Sequence, residues 1–174
     1  MHKSKGFILV SLLIILQILA LLGWYTIQNT ILHLRASHND FQRHSIEVSA
    51  EDRLNFIENQ ALQEAPTCLT PITTLSALKM HTLDWWQSKA VCHAVNFLYH
   101  FDYIFENLGE NPCSLIQNPG TIAQYLRITL KTTDPLHETT LFLQSIIAKP
   151  VHSSDPCLEQ QEIILPGRQS WIKS

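Results

Sequence analysis

Few residues in this sequence stand where they could do chemistry together. Cys92 precedes His93, a thiol beside a base; His81, Asp84 and Ser88 share a short stretch; and His93 and His100, two of nine histidines, lie seven positions apart. A nucleophile is activated when a base reaches it through a hydrogen bond, and side chains adjacent in sequence rarely aim at each other. His81, Asp84 and Ser88 match no motif beyond their proximity. Two histidines seven apart share a face of a helix but take opposite faces of a strand, and the aromatic-rich sequence after His93 reads as strand, which argues against a shared metal ion. The chain has no G-x-S-x-G, no glycine-rich phosphate loop and no H-E-x-x-H, and its five glycines leave little material for a cofactor cradle. The expectation is a protein that is not an enzyme and uses neither metal nor cofactor.

The four cysteines, Cys68, Cys92, Cys113 and Cys157, lack the C-x-x-C spacing of a zinc site. All follow the apolar N-terminal run, and in an oxidising compartment they would form two disulfides. Of the three pairings, Cys68 with Cys92 and Cys113 with Cys157 is favoured, because the first closes the segment after a long helix and the second ties the tail to a sheet. Each loop would stabilise the fold by about 3 to 4 kcal/mol on the chain-entropy model. Trp85-Trp86 with Phe97, Tyr99, Phe101, Tyr103 and Phe105 could form a ligand platform, but large aromatics supply much of the burial in a small domain, and core is the stronger reading. Arg127, Lys131, Lys149, Arg168 and Lys173 could form a basic strip. With a net charge of −3 there is no global field for nucleic acid, so a solvated basic face with no specific nucleic-acid partner is expected.

The sharpest junction lies at the N-terminus. Lys3, Lys5 and Gly6 precede Phe7, and from Phe7 to Ile27 the chain carries no charge. At 1.5 Å per residue that run spans about 31 Å, the thickness of a bilayer core. Its Leu, Ile, Phe and Val residues favour insertion by about 4 to 8 kcal/mol in sum. The lysines lie on the N-terminal side and the next charge beyond is Arg35, so the positive-inside rule puts the N-terminus in the cytoplasm and everything after Trp24-Tyr25 outside. A cleaved secretory signal has a shorter apolar core and a small-x-small site, which Gly23-Trp24-Tyr25-Thr26 does not provide.

Beyond the membrane, Ile46, Ala50, Leu54, Ile57 and Ala61 recur at intervals of four, four, three and four, one face of an amphipathic helix. No Pro or Gly interrupts residues 24 to 65, and Pro66 ends the pattern. A single long helix over 7–65 is therefore expected, with 7–27 in the membrane. Residues 66–174 make the globular α+β head, of which 66–97 resists assignment. Phe97 to Phe105 reads as a strand ending in a turn at Asn107-Leu108-Gly109-Glu110-Asn111-Pro112. Tyr125 to Lys131 alternates as a half-buried strand, 132–138 reverses the chain, Thr139 to Ala148 returns, and Ile163-Ile164-Leu165 adds an edge strand. The fold class is α+β, a long N-terminal helix packed on an antiparallel sheet.

Lys5-Gly6-Phe7 before such a run resembles the type III signal of type IV prepilins, in which a prepilin peptidase cuts after the Gly and methylates the new terminal amine. In the head, Glu106-Asn107-Leu108-Gly109, Tyr125-Leu126-Arg127-Ile128-Thr129, Leu143-Gln144-Ser145 and Gly167-Arg168-Gln169-Ser170-Trp171 fall in the order and spacing of the C-terminal domain of PilX-type minor pilins. The resemblance implies a leader over 1–6, processing at Gly6 and Phe7, and a single-pass inner-membrane protein with a periplasmic head that later joins a pilus at the cell surface. Its partners would be the prepilin peptidase, other minor pilins and the major pilin. Most pilins carry Glu at the fifth mature position, where this chain has Ser11; minor pilins of this type and the tip pseudopilin of type II secretion often lack that acid too. A minor pilin acting in assembly initiation or the tip complex is the function implied. A type II secretion pseudopilin and a signal-anchored periplasmic enzyme or binding domain are the alternatives.

Overall fold

An uninterrupted run without Pro gives one long helix, α1 (Lys5–Gln63). The computed structural model describes residues 5–116, 121–136, 139–152, 157 and 161–173, and the side chains of 5–8 are not among what it describes. Residues 1–4, most of the expected leader, lie outside the described residues. The chain divides into two compact units, residues 1–45 and 46–174.

In the first unit the apolar side chains from Leu9 to Ile27 are exposed. By length and composition α1 is able to cross a membrane, and among the described residues it is the only such helix. Its hydroxyls bond within the helix: Thr26 Oγ1 donates to the Gly23 carbonyl and Thr30 Oγ1 to the Thr26 carbonyl, both at 2.8 Å. Such local bonds let a hydroxyl sit in an apolar helix.

In the second unit the five-residue stripe from Ile46 to Ala61 is buried. It packs on a seven-stranded sheet whose main path is β1 (Leu69–Thr70), β3 (His100–Ile116), β4 (Thr121–Asp134), β5 (Thr139–His152) and β7 (Gly167–Lys173). Two further strands, β2 (Cys92–Val95) and β6 (Glu162–Ile164), pair with β3. The pairings β2–β3, β3–β4, β4–β5 and β5–β7 are antiparallel. The expectation of an antiparallel sheet needs correction, because β1 and β6 run parallel to β3. The long outer edge of β3 is covered piecewise, by β2 along 100–103, β1 along 105–106 and β6 along 114–116.

Other boundaries differ from the sequence reading: α1 ends at Gln63 rather than 65, β4 and β5 run longer than expected, and three differences change how the chain is read. Asn107 to Pro112 does not end the strand; β3 runs through it with register shifts at Asn107/Gly109 and Asn111/Leu115. Gly109 takes φ +105°, which a side chain would resist, and the Asn107 and Asn111 side chains accept from the amides of Gly109 and Cys113 at 2.9 and 3.0 Å. The turn residues therefore bulge a strand. The strand expected from Phe97 begins at His100, because Asn96 and Tyr99 close a tight turn, with Asn96 N–H donating to the Tyr99 carbonyl at 3.1 Å. The reversal expected over 132–138 is shorter, since β4 continues to Asp134, whose Oδ1 accepts from Leu136 N–H at 2.9 Å; His137 and Glu138 lie outside the described residues.

The unassigned stretch after Pro66 holds β1, two short helices, α2 (Leu75–Met80) and α3 (Leu83–Trp86), and β2. Thr74 caps α2 by accepting from Ala77 N–H at 3.3 Å. Leu78, Trp86 and Val91 of this stretch pack on Ile104 and Phe142, the face of the sheet opposite α1. Both faces of the sheet are thus covered.

Candidate functional site

Residues on alternate positions of β3, β4 and β5 point away from α1, and there the sheet builds a polar ladder. Glu106 is wholly buried and Arg127, opposite it in the β3–β4 register, forks onto it, Nε to Oε2 at 2.7 Å and Nη2 to Oε1 at 2.8 Å. Glu106 Oε1 also accepts from Thr73 N–H at 2.7 Å, and Arg127 Nη2 donates to the Thr73 carbonyl, so the pair clamps the backbone that leads into α2. The bond to Glu106 holds the Arg127 guanidinium even more firmly protonated than usual. One step along, Gln144 Nε2 donates to Thr129 Oγ1 at 2.9 Å, both buried.

The five cations expected to face solvent are all engaged. Lys149 Nζ donates to the carbonyls of Ala61 and Glu64 at 2.8 and 2.6 Å, capping the end of α1, which carries no basic residue in its own last turn. Burial pushes its pKa down. Arg168 Nε bonds Glu58 Oε1 at 2.9 Å and its Nη2 bonds Asn55 Oδ1 at 2.6 Å. Lys173 Nζ meets Glu47 Oε2 at 2.5 Å. Arg127 is the clamp above, and Lys131 approaches Asp102 at 4.0 Å. The strip is a set of internal tethers, three of them gripping α1.

A groove of about 430 Å³ opens between α3, β2, β3 and the adjoining ends of β4 and β5. His93, His100, Asp102 and Lys131 line it, with Leu83, Gln87, Val95, Thr133, Pro135 and Thr140. His93 Nδ1 bonds Asp102 Oδ1 at 2.8 Å, a cross-strand pair set by the register His93↔Asp102. No protein-family model, curated protein or solved structure matches this chain.

The cysteines are joined as Cys68–Cys92 and Cys113–Cys157, the pairing favoured from the sequence. Cys92 is thereby removed as a thiol nucleophile for His93. Gly6 and Phe7 fall in the first turns of α1, and Ser11 follows one turn later. His81 is not aimed at Ser88; its ring stacks on Trp85 with centroids 4.1 Å apart. Among the aromatics, Trp86, Tyr99, Phe101 and Phe105 are buried in the core, whereas Phe97 is fully exposed at the hairpin tip. Among the described residues no three metal-ligating side chains converge. Sequence reasoning missed the Glu106–Arg127 clamp and the Thr129–Gln144 bond, although all four residues belong to the collinear motifs quoted above. Two separated charged or polar residues of complementary type in neighbouring strands were the available signal.

Proposed function

We propose that this chain is a minor pilin of a type IV pilus, of the PilX-like kind, acting in assembly initiation at or near the pilus tip. The observation that carries the reading is one helix with two kinds of surface. From Leu9 to Ile27 its apolar side chains are exposed, while from Ile46 to Ala61 one stripe is buried in the head. A subunit that leaves a bilayer to enter a helical fibre needs the first surface in both places, since neighbouring apolar helices and lipid make similar demands. In this reading the peptidase cuts after Gly6 and methylates Phe7. The N-terminus is cytoplasmic and the head periplasmic before assembly, and the subunit then joins other minor pilins and the major pilin.

Ser11 supports the tip position. In the pilin scheme the fifth-residue Glu of an arriving subunit neutralises the terminal amine of the subunit above it, and an unpaired ammonium in an apolar core is costly. A subunit with Ser11 cannot do this for another, yet its own Phe7 amine can receive the next arrival's Glu, which suits a subunit that enters first. A type II secretion pseudopilin is the second reading that Ser11 favours. Mass spectrometry of the N-terminus tests the class: a mature chain starting at methylated Phe7 is expected, and an intact Met1 would instead mark a signal-anchored periplasmic protein. Gly6→Leu should leave Lys3 and Lys5 attached and block incorporation while membrane insertion persists. Immunogold labelling along the shaft, rather than at the tip, would refute the position.

A further inference from the structure

We propose that a second copy of this chain docks in a groove between α1 and the β2–β3 turn, through the acidic and aliphatic edge of its own β6. The groove has a volume of about 320 Å³ and centres on Arg53. Arg53 Nε is shut off from solvent and has no hydrogen-bond partner. No acid stands one turn away on α1, where Ser49, Ala50, Phe56 and Ile57 occupy the positions three and four residues to either side. The acceptor that the turn brings to the groove, Asn96 Oδ1, is taken by the amides of Leu98 and Tyr99 at 2.9 and 2.6 Å. Asp52 borders the groove but is exposed and makes no ion pair with Arg53. What holds the guanidinium is the Phe56 ring, whose centroid lies 4.9 Å from Cζ. A cation stacked on an aromatic with a buried donor unmet gains when a carboxylate draws its fork round.

The surroundings of Arg53 fit a protein partner. Phe56 and Val95 on the lining are exposed, and so are Phe97 and Leu98 at the centre of the turn. An unpaired Arg among exposed aromatics has the composition of an interface anchor. The matching chemistry lies at the far end of β3. There β6 pairs with β3 on one side only, and its other edge is open among the described strands. Glu162, at its start, is exposed and has no ion pair among the described residues, and Ile163 and Leu165 are 79% and 74% exposed. With Asp52 beside it the groove accepts one carboxylate and resists a second, and Glu162 is the only acid from 161 to 173. From Phe101, in the groove, to Ser114, beside Glu162, β3 extends about 40 Å. The two surfaces therefore do not face each other within one copy, and the contact between copies is head-to-tail, open to a third rather than closed at two.

The test follows the mass of the full chain by sedimentation velocity in uncharged detergent as its concentration rises. The parent should grow with concentration past a dimer. Arg53→Glu and Glu162→Arg should each weaken association by about tenfold or more, since each sets like charges against each other. Mixed together, the two variants should associate as the parent does, because each then meets the opposite charge on the other. Lys89→Glu, a reversal outside both surfaces, should leave association unchanged. Phe97→Asp, at a fully exposed side chain, should weaken it even if Arg53→Glu does not fold. A parent monomeric to millimolar concentration, reversals without effect, or a mixture no larger than either variant alone would overturn the proposal and leave the groove to a partner other than this chain. The contact uses none of residues 1–45 and none of these results depends on N-terminal processing, so it and the pilin reading fail separately.

Discussion

The two faces of the head's sheet come from the same strands, and both bury apolar clusters, but only the face away from α1 adds a buried polar ladder to its packing. Toward α1, Phe101, Phe105, Leu126, Ile128, Leu130 and Leu143 meet Leu54 and Ile57 in an apolar cluster. On the other face, one residue along in each strand, Glu106 forks with Arg127 and Gln144 reaches Thr129 beneath α2 and α3. Apolar packing is non-directional and tolerates many side chains of similar volume. The polar face is directional, and its worth lies in leaving no buried group unmet. The difference teaches that one face holds the helix by area while the other positions a backbone segment, Thr73, atom by atom.

That contrast can be broken by substitution, with stability followed by denaturant titration of the full chain in detergent. Arg127→Met should have the largest effect, about 3 to 5 kcal/mol lost, because it strands a wholly buried carboxylate. Replacing both partners, Glu106→Leu with Arg127→Met, should recover most of that loss; a double variant as unstable as the single one would show that the cost is not the orphaned charge. Leu54→Ala, on the apolar face at 0% exposure, should cost about 2 to 4 kcal/mol through lost contact and a cavity. Leu54→Met should cost less than about 1.5 kcal/mol, since volume is kept. Gln144→Leu should cost about 1 to 2 kcal/mol by leaving the Thr129 hydroxyl unmet. The smallest change is expected for Lys149→Met, about 0.3 to 1 kcal/mol, the value of a cation at a helix C-terminus. A loss as large as that of Leu54→Ala would mean that the cap does more than meet two carbonyls.

The apolar face was legible and the polar face was not, for a physical reason. The stripe from Ile46 to Ala61 repeats with the helical period, so a local pattern names its residues. Glu106 and Arg127 are 21 positions apart, and only the register of β3 on β4 brings them together. The same limit hid the tethers from Lys149, Arg168 and Lys173 to α1, which the sequence offered only as a strip of positive residues. Asn107 to Pro112 misled in the opposite direction, since the residues that favour a turn also favour a bulge, and the pairing of β4 on both sides of the bulge decides between them. The stretch containing α2 and α3 was unreadable because helices of six and four residues are too short to show a period. β7 was seen only as a motif, being an exposed polar strand with no alternation to mark it.

The tethers from β5 and β7 to α1 reach far along the sequence, 88 positions for Lys149 to Ala61, 113 for Arg168 to Asn55, and further still for Lys173 to Glu47. A chain made from its N-terminus exposes the stripe from Ile46 to Ala61 long before β7 exists to supply Arg168 and Lys173. The stripe waits for β3, β4 and β5, which cover it, and the clasp waits for β7; contacts this distant in sequence form slowly. The interval between synthesis of the stripe and completion of β5 is therefore the time when the uncovered face of α1 is open to other apolar partners.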